Sequence, residues 1–229
     1  MADLKAQKMS IEQKIIESTN VDDSTSAAIV GNTVLPAVVG SSKKYNIIYA
    51  DPAWSIQTTS QVPSGRPNSR PYVAMRMVDI YDLPVKDIAD KDCVLLLWAT
   101  APLIPEALFT MKAWGFEYKT IAFTWVKRNK KADSWFWGMG WWTRSNPEYC
   151  LLGVKGDPKR VEKNIHSIID TKIEEHSKKP DIMYEKIVAL CGDLPRVELF
   201  ARNTKEGWDC WGNEVEGNVN LETSANNGR

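Results

Sequence analysis

Up to about Ser42 the chain is rich in Ser, Thr, Lys and Asp. Its one apolar rhythm there, Ile11, Ile15 and Ile16 within Met9 to Ile16, fits only a weakly amphipathic helical piece. A poorly ordered or weakly helical arm over residues 1–43 is the expectation. From Tyr45 the texture changes to short apolar runs separated by helical patterns. Strands are predicted over Tyr45 to Ala50, Cys93 to Trp98, Thr120 to Val126, Tyr149 to Val154 and Arg196 to Ala201. Pro102 to Trp114 reads as a helix closed by Gly115, and Pro180 to Leu190 as a helix opened by Pro180 and closed by Gly192. Near-continuous apolar strands such as Val94-Leu95-Leu96-Leu97 require burial on both faces. The expected fold class is therefore α/β, a largely parallel central sheet with helices on both faces. It occupies residues 44–217, and a flexible tail is expected over 218–229. Such sheets bind ligands beyond the carboxyl ends of their strands.

At the end of the first strand stands Asp51-Pro52-Ala53-Trp54. An enzyme that modifies a base must hold it outside the stack, which takes an aromatic face and polar groups at the base edge. Trp54 offers the face, and the Asp51 carboxylate and Pro52 carbonyl can accept hydrogen bonds from an exocyclic amine, so adenine is the ligand that fits. Taken alone, four residues fit better a strand that ends in a Pro turn over a buried Trp.

Two long segments interrupt the alternation. Ser55 to Met77 carries Gly65, Arg66, Arg70 and Arg76. Lys127 to Pro147 carries Lys127, Arg128, Lys130, Lys131, Arg144 and a Gly-punctuated aromatic run with Trp135, Trp137, Trp141 and Trp142. Loops of this length in a compact domain are functional or disordered. Cations interleaved with aromatics suit phosphate contact plus base stacking, while a solvated basic loop with Trp packed beneath it is an equal reading of any single residue.

Composition narrows the class. The chain has 229 residues with 43% apolar content, enough for one domain with a real core. Lys plus Arg and Asp plus Glu are both 29, so nucleic-acid binding has to come from a local basic patch. Four widely spaced Cys and only two His argue against a zinc site and a disulfide framework, and Cys93, Cys150, Cys191 and Cys210 are expected as reduced, mostly buried thiols. The longest apolar run, around Val94 to Trp98, is far too short for a bilayer, which makes a soluble cytoplasmic protein the expectation.

The last third carries Ser177-Lys178-Lys179-Pro180 at a helix start, then Glu198-Leu199-Phe200-Ala201-Arg202-Asn203, then Trp211-Gly212-Asn213-Glu214. A cation at a helix start and a strand ending in a polar pair could hold a zwitterionic, ribose-bearing cofactor. Equally, Lys179 could be solvated, Arg202 a strand-end salt bridge and Gly212-Asn213 a plain turn.

Together and in this order, the Asp-Pro-Ala-Trp element, Leu95-Leu96-Leu97-Trp98-Ala99-Thr100, Trp125-Val126-Lys127, Glu148 to Gly156 and the three C-terminal elements resemble the MT-A family of N6-adenine methyltransferases, over roughly Lys44 to Glu216. The family holds the catalytic subunit of the eukaryotic mRNA adenosine enzyme and many compact bacterial and phage DNA adenine methyltransferases, and this chain looks like the compact members. The resemblance implies a Rossmann-like methyltransferase sheet with permuted motif order and S-adenosylmethionine as methyl donor. Carried over, Asp51, Pro52 and Trp54 are the catalytic element, with Asp51 also near the donor. Lys179, Phe200, Arg202, Asn203, Asn213 and Glu214 match cofactor-contacting positions. Arg66, Arg70, Lys127, Arg128, Lys130, Trp137, Trp142 and Arg144 lie in the substrate-gripping loops. The chain departs from the family in having Ala53 where Pro is usual, in a short loop from Arg202 to Trp208, and in lacking a Gly-rich fingerprint.

The implied activity is methylation of adenine N6 in DNA, by a monomer or homodimer without metal or membrane, in the cytoplasm of a bacterium or a phage-infected cell. RNA methylation is the near alternative, and a catalytically inactive nucleic-acid-binding scaffold the alternative of another class. A Trp-rich carbohydrate-binding module is disfavoured by the buried parallel-sheet pattern.

Overall fold

Strand β1, Tyr45–Ala50, is built from Ile and Tyr and is buried along almost its whole length, as a strand with neighbours on both edges and layers on both faces must be. It pairs in parallel with β2 (Ala89–Ala99) on one side and with β6 (Arg196–Leu199) on the other. A computed structural model describes residues 43–54, 75–140, 142–175, 178–219 and 221. The arm over 1–42 and most of the first long loop, with Arg66 and Arg70, lie outside the described residues.

Among the described residues the elements run β1, α1 (Met77–Tyr81), α2 (Val85–Ile88), β2, a 3-10 turn (Ala101–Leu103), α3 (Ile104–Ala113), β3 (Glu117–Arg128), β4 (Glu148–Lys155), β5 (Ile168–Lys172), α4 (Ile182–Cys191), β6 and β7 (Asp209–Trp211). The sheet order is β5-β3-β4-β2-β1-β6-β7. β4 is antiparallel to both β2 and β3, and every other pairing is parallel, so six strands point one way and β4 alone is reversed. This is the mostly parallel, Rossmann-like sheet that was expected. The reversal of β4 matters for the site, because it brings the start of β4 to the edge where the other strands end.

Alternation along the strands sends side chains to two separate cores. Ile48, Ala50, Leu95, Leu97 and Ala99 pack with Ile80, Val85, Ile88, Ala107, Met111 and Trp114 from the α1–α3 side. Ile47, Tyr49, Val94, Leu96 and Trp98 pack with Phe123, Trp125, Ile169 and the α4 residues Met183, Ile187 and Cys191. All four cysteines are free and buried. No helix among the described residues is long and apolar enough to cross a membrane.

Of the predicted strands the last is shorter than expected, ending at Leu199 instead of Ala201 because Phe200 takes a left-handed φ of 64°, and three others are extended by polar residues beyond the apolar run. β2, for example, begins at Ala89 with Asp90-Lys91-Asp92. β5 and β7 were not predicted: β5 buries only Ile169, and β7 is three residues long, so neither has a period to detect. The segment from 218, expected as a flexible tail, begins packed. Val219 and Leu221 are buried in the first core, and the Asn218 side chain accepts from Cys210 N–H at 2.8 Å and donates to Asp209 at 2.7 Å.

Candidate active site

Asp51 follows β1 directly, at the carboxyl edge of the sheet. The Trp54 N–H donates to the Pro52 carbonyl at 2.7 Å, which closes a tight turn about Ala53, and Met75 N–H donates to the Ala53 carbonyl at 3.0 Å. The Trp54 indole is 7% exposed and donates to the Trp98 carbonyl at 3.0 Å, so the turn is pinned to the end of β2. The buried-Trp turn and the base pocket are thus compatible: Trp54 is core on one side and still lines a cavity.

That cavity, of about 340 Å³, is lined by Asp51, Pro52, Ala53 and Trp54, by Trp98, Ala99 and Thr100 at the end of β2, by Glu148 and Lys179, and by Phe200, Arg202, Trp211, Asn213 and Glu214. Its volume lies within the range of small-ligand sites. At its base Lys179 Nζ lies 2.5 Å from Asp51 Oδ2 and 3.3 Å from Glu148 Oε2, and 5.5 Å from the centre of the Trp98 ring. Glu148 is held from its other side by Lys127, whose Nζ is 2.5 Å from Oε1.

Electrostatics follow from burial opposed by pairing. Burial raises the Asp51 carboxyl and Lys179 only partly offsets it, leaving Asp51 above the ordinary carboxylate value. Burial also acts to raise Glu148, but the ammonium groups of Lys179 and Lys127 override it and hold that carboxyl low. Burial acts to lower Lys179, and the Asp51 and Glu148 carboxylates outweigh it, so the lysine is raised and charged.

The opposite wall comes from β6 and β7. Phe200 adopts φ 64°, a left-handed conformation costly for a side-chain-bearing residue, and its ring meets Trp211 edge-on at 5.3 Å. The Ala201 N–H donates to the Trp211 carbonyl at 3.0 Å. A Cβ on Gly212 would lie 2.2 Å from the Ala201 carbonyl oxygen, so only glycine lets these two backbones meet. Their meeting sets Glu214 Oε1 3.5 Å from Arg202 Nε, the strand-end salt bridge weighed from the sequence, here on the cavity wall. Among the described residues, the buried Thr100 hydroxyl, also on the lining, has no hydrogen-bond partner, as a group awaiting a ligand would.

Of the expected site residues, Asp51, Pro52, Trp54, Lys179, Phe200, Arg202, Asn213 and Glu214 converge on this one cavity. Asn203 is exposed and outside the lining. In the second loop Arg128 is bound to Asp170 and Asp133 and lies 4.3 Å from the Trp135 ring. Lys130 donates to the Glu174 carbonyl at 3.5 Å. Arg144 donates to the Trp137 and Gly138 carbonyls, and Trp137 and Trp142 are 55% and 99% exposed. Lys127 turns inward to Glu148. Glu148 and Thr100 were not read as site residues. The available signal for Glu148 was an acid opening a run, Cys150 to Val154, that is otherwise apolar.

The family model described as MT-A70 matches residues 45–214. Type II methyltransferase M.MunI of Mycoplasma sp is 31% identical over 193 residues, 77% of this chain and 80% of that protein. The N(6)-adenosine-methyltransferase catalytic subunit METTL3 of Homo sapiens is 29% identical over 178 residues, 76% of this chain, and the N(6)-adenosine-methyltransferase MT-A70-like protein of Arabidopsis thaliana is 29% identical over 177 residues. This chain covers only 29% and 24% of the length of those two eukaryotic relatives. The matched span runs from the first residue of β1 to Glu214 on the cavity wall and so takes in the whole site, and the chain belongs to the MT-A70 family.

Proposed function

We propose that this protein methylates the exocyclic N6 amine of adenine in DNA, with S-adenosylmethionine as donor. The observation that carries the reading is the convergence of the Asp51-to-Trp54 turn with Lys179, Arg202, Asn213 and Glu214 on a single cavity at the carboxyl edge of the sheet. DNA is favoured over RNA because the bacterial type II methyltransferase is matched over 80% of its length, whereas the adenosine-methyltransferases are matched over less than a third of theirs.

The cavity suits the donor. Arg202 and Lys179 offer cations to its carboxylate, Asn213 and Glu214 offer polar groups to ribose and adenine, and the Thr100 hydroxyl offers an unpaired donor and acceptor. Asp51 and Glu148 engage two of the three protons of Lys179, which leaves one for a ligand. When bound, S-adenosylmethionine supplies a sulfonium-activated methyl carbon, open to direct displacement with the bonding pair leaving on sulfur.

The chain's task is alignment and amine activation. The adenine amine is a poor nucleophile because its lone pair is delocalised into the ring. Acceptors at Asp51 and Pro52 favour the tetrahedral nitrogen of the transition state over the planar ground state. The Pro52 carbonyl already accepts the Trp54 N–H, and its second lone pair remains for the amine. Trp54 supplies the stacking face. Asp51, raised by burial, is placed to receive the amine proton, which becomes acidic only once nitrogen carries the new methyl.

The test is labelled-methyl transfer to DNA and to RNA side by side, followed by sequencing of the methylated product. Label in adenine N6 of DNA at a fixed sequence supports the reading, and label in RNA alone overturns the substrate. Donor binding by calorimetry with no transfer to either would point to the inactive scaffold.

A further inference from the structure

Lys127 stands at the carboxyl end of β3, in the stretch that its charge and aromatic neighbours marked for phosphate contact. Its environment is that of an interior cation. The side chain is 15% exposed and that of its partner Glu148 16%, with Nζ 2.5 Å from Glu148 Oε1. The ammonium also lies 5.0 Å from the centre of the Trp125 ring and 5.9 Å from that of Phe136, two faces that favour a cation over a neutral group. The backbone is clamped as well: Lys127 N–H donates to Asn146 Oδ1 at 3.0 Å, and its carbonyl accepts from Asn146 Nδ2 at 2.9 Å. Asn146 itself is buried and also donates to the Phe136 carbonyl. A side chain meant to follow a DNA backbone gains nothing from this confinement.

The far oxygen of Glu148 is 3.3 Å from Lys179, and Lys179 is 2.5 Å from Asp51. Lys127, Glu148, Lys179 and Asp51 thus form a row of alternating charge that ends on the carboxylate assigned to the adenine amine. We propose that Lys127 is a positioning residue: it holds Glu148 in the orientation that bridges to Lys179, and so keeps Lys179 shared between two acids. The proposal rests on the adenine-methyltransferase reading of the cavity.

Without Lys127, Glu148 keeps one cation in place of two in a mostly buried position, and a buried carboxylate short of partners takes a proton or turns to water. Either change frees Lys179 to settle on Asp51 alone, which weakens Asp51 as an acceptor. The groups facing Glu148 are Lys127 from β3 and Lys179 from the segment before α4. Asp51 at the end of β1 faces it across Lys179, with Arg202 beyond β6 acting on Asp51. All the charges except Lys127 remain in the variant.

The experiment compares wild type, Lys127→Gln and Lys127→Arg, the first keeping a hydrogen-bond donor without charge and the second keeping the charge. With methyl transfer to DNA as readout, Lys127→Gln lowers kcat by about tenfold with KM for DNA nearly unchanged, and Lys127→Arg recovers most of the loss. The acid limb of the kcat profile moves up in Lys127→Gln, because Glu148 then holds its proton to higher pH. In a Glu148→Gln background Lys127→Gln has no further effect on kcat, as a residue acting through Glu148 requires.

A raised KM with the salt slope reduced by about one, kcat and pH limb unmoved, would make Lys127 a phosphate contact and overturn the proposal. Independently of any methyl acceptor, carbon NMR of labelled glutamate carboxyls, with Glu148 assigned by Glu148→Gln, follows its titration directly. An upward move in Lys127→Gln but not in Lys127→Arg supports the proposal, and an unmoved Glu148 titration in both refutes it. A wild type that transfers no methyl counts against the proposed activity alone, because the carboxyl titration still decides the role of Lys127.

Discussion

Replacing Lys179 by Met removes the cation that Asp51 and Glu148 share and leaves its packing volume nearly intact. The two ion pairs that disappear measure 2.5 Å to Asp51 and 3.3 Å to Glu148, with side-chain exposures of 13%, 29% and 16% for Lys179, Asp51 and Glu148. At an effective dielectric constant of about 20 each pair is worth roughly 5–7 kcal/mol before desolvation. Burying the ions costs several kcal/mol apiece, so the net loss on deleting one partner is about 3–5 kcal/mol. In a domain of this size that corresponds to a fall in Tm of roughly 6–20 °C. The sign with pH follows from the carboxyls. Without the ammonium, burial holds Asp51 further above its unfolded value and Glu148 loses one of the two cations that hold it low, so the folded variant binds more protons than folded wild type and loses stability relative to it as pH rises through that window. Urea unfolding near pH 5 and near pH 8 therefore gives a deficit that is larger at the higher pH, and Lys179→Arg restores most of it. A deficit below about 1 kcal/mol, the same at both pH values, is the behaviour of a surface pair and would refute the buried-relay description.

Asp51→Asn keeps the shape of the turn but loses the charge, and methyl transfer should fall by about 10²–10³-fold in a folded protein that still binds the donor; near-normal turnover would remove Asp51 from the mechanism. Trp54→Ala should lose activity and also about 3–5 kcal/mol of stability, because the ring is core as well as cavity wall, so Trp54→Phe with thermal unfolding alongside turnover separates the two losses. Glu198, beside Tyr184 (O to O 2.9 Å), is pushed up to about 7 by burial, which makes it destabilising as pH rises from about 4.5 to 7; Glu198→Gln should gain about 3 kcal/mol at pH 8 and nothing at pH 4 in chemical denaturation. Gly212→Ala places a methyl against the Ala201 carbonyl and should cost about 1–3 kcal/mol and weaken donor binding by calorimetry, while unchanged binding would show that the wall tolerates separation of β6 and β7.

Much of the site was legible along the chain because its parts are local. Asp51 to Trp54, Lys179, Phe200 to Arg202 and Asn213-Glu214 each sit where an apolar run stops or a helix starts, and strand ends and helix starts leave a trace in sequence. The strands β1, β2 and β4 were legible because buried neighbours on both faces leave short apolar runs, and β3 and β6 because burial at every second residue, Phe123 and Trp125 or Val197 and Leu199, leaves an alternating one. β5 and β7 carry no such demand, because an edge strand of a few residues buries too little to impose a pattern.

The roles of the loop cations were decided only by the fold. Lys127 and Arg128 are neighbours with the same charge, and nothing in the sequence separates them. Yet the first turns into the cavity wall toward Glu148, while the second turns away to Asp170 and Asp133. Glu148 belongs to the site because β4 runs against the other strands and delivers its first residue to the carboxyl edge, and strand direction is a property of the sheet that no local pattern encodes. The sequence by itself therefore determined which backbone ends form the cavity, through burial. Tertiary pairing alone decided which charges meet inside it, because an ion pair between residues 31 and 128 positions apart depends on how the chain crosses over and not on what lies beside it.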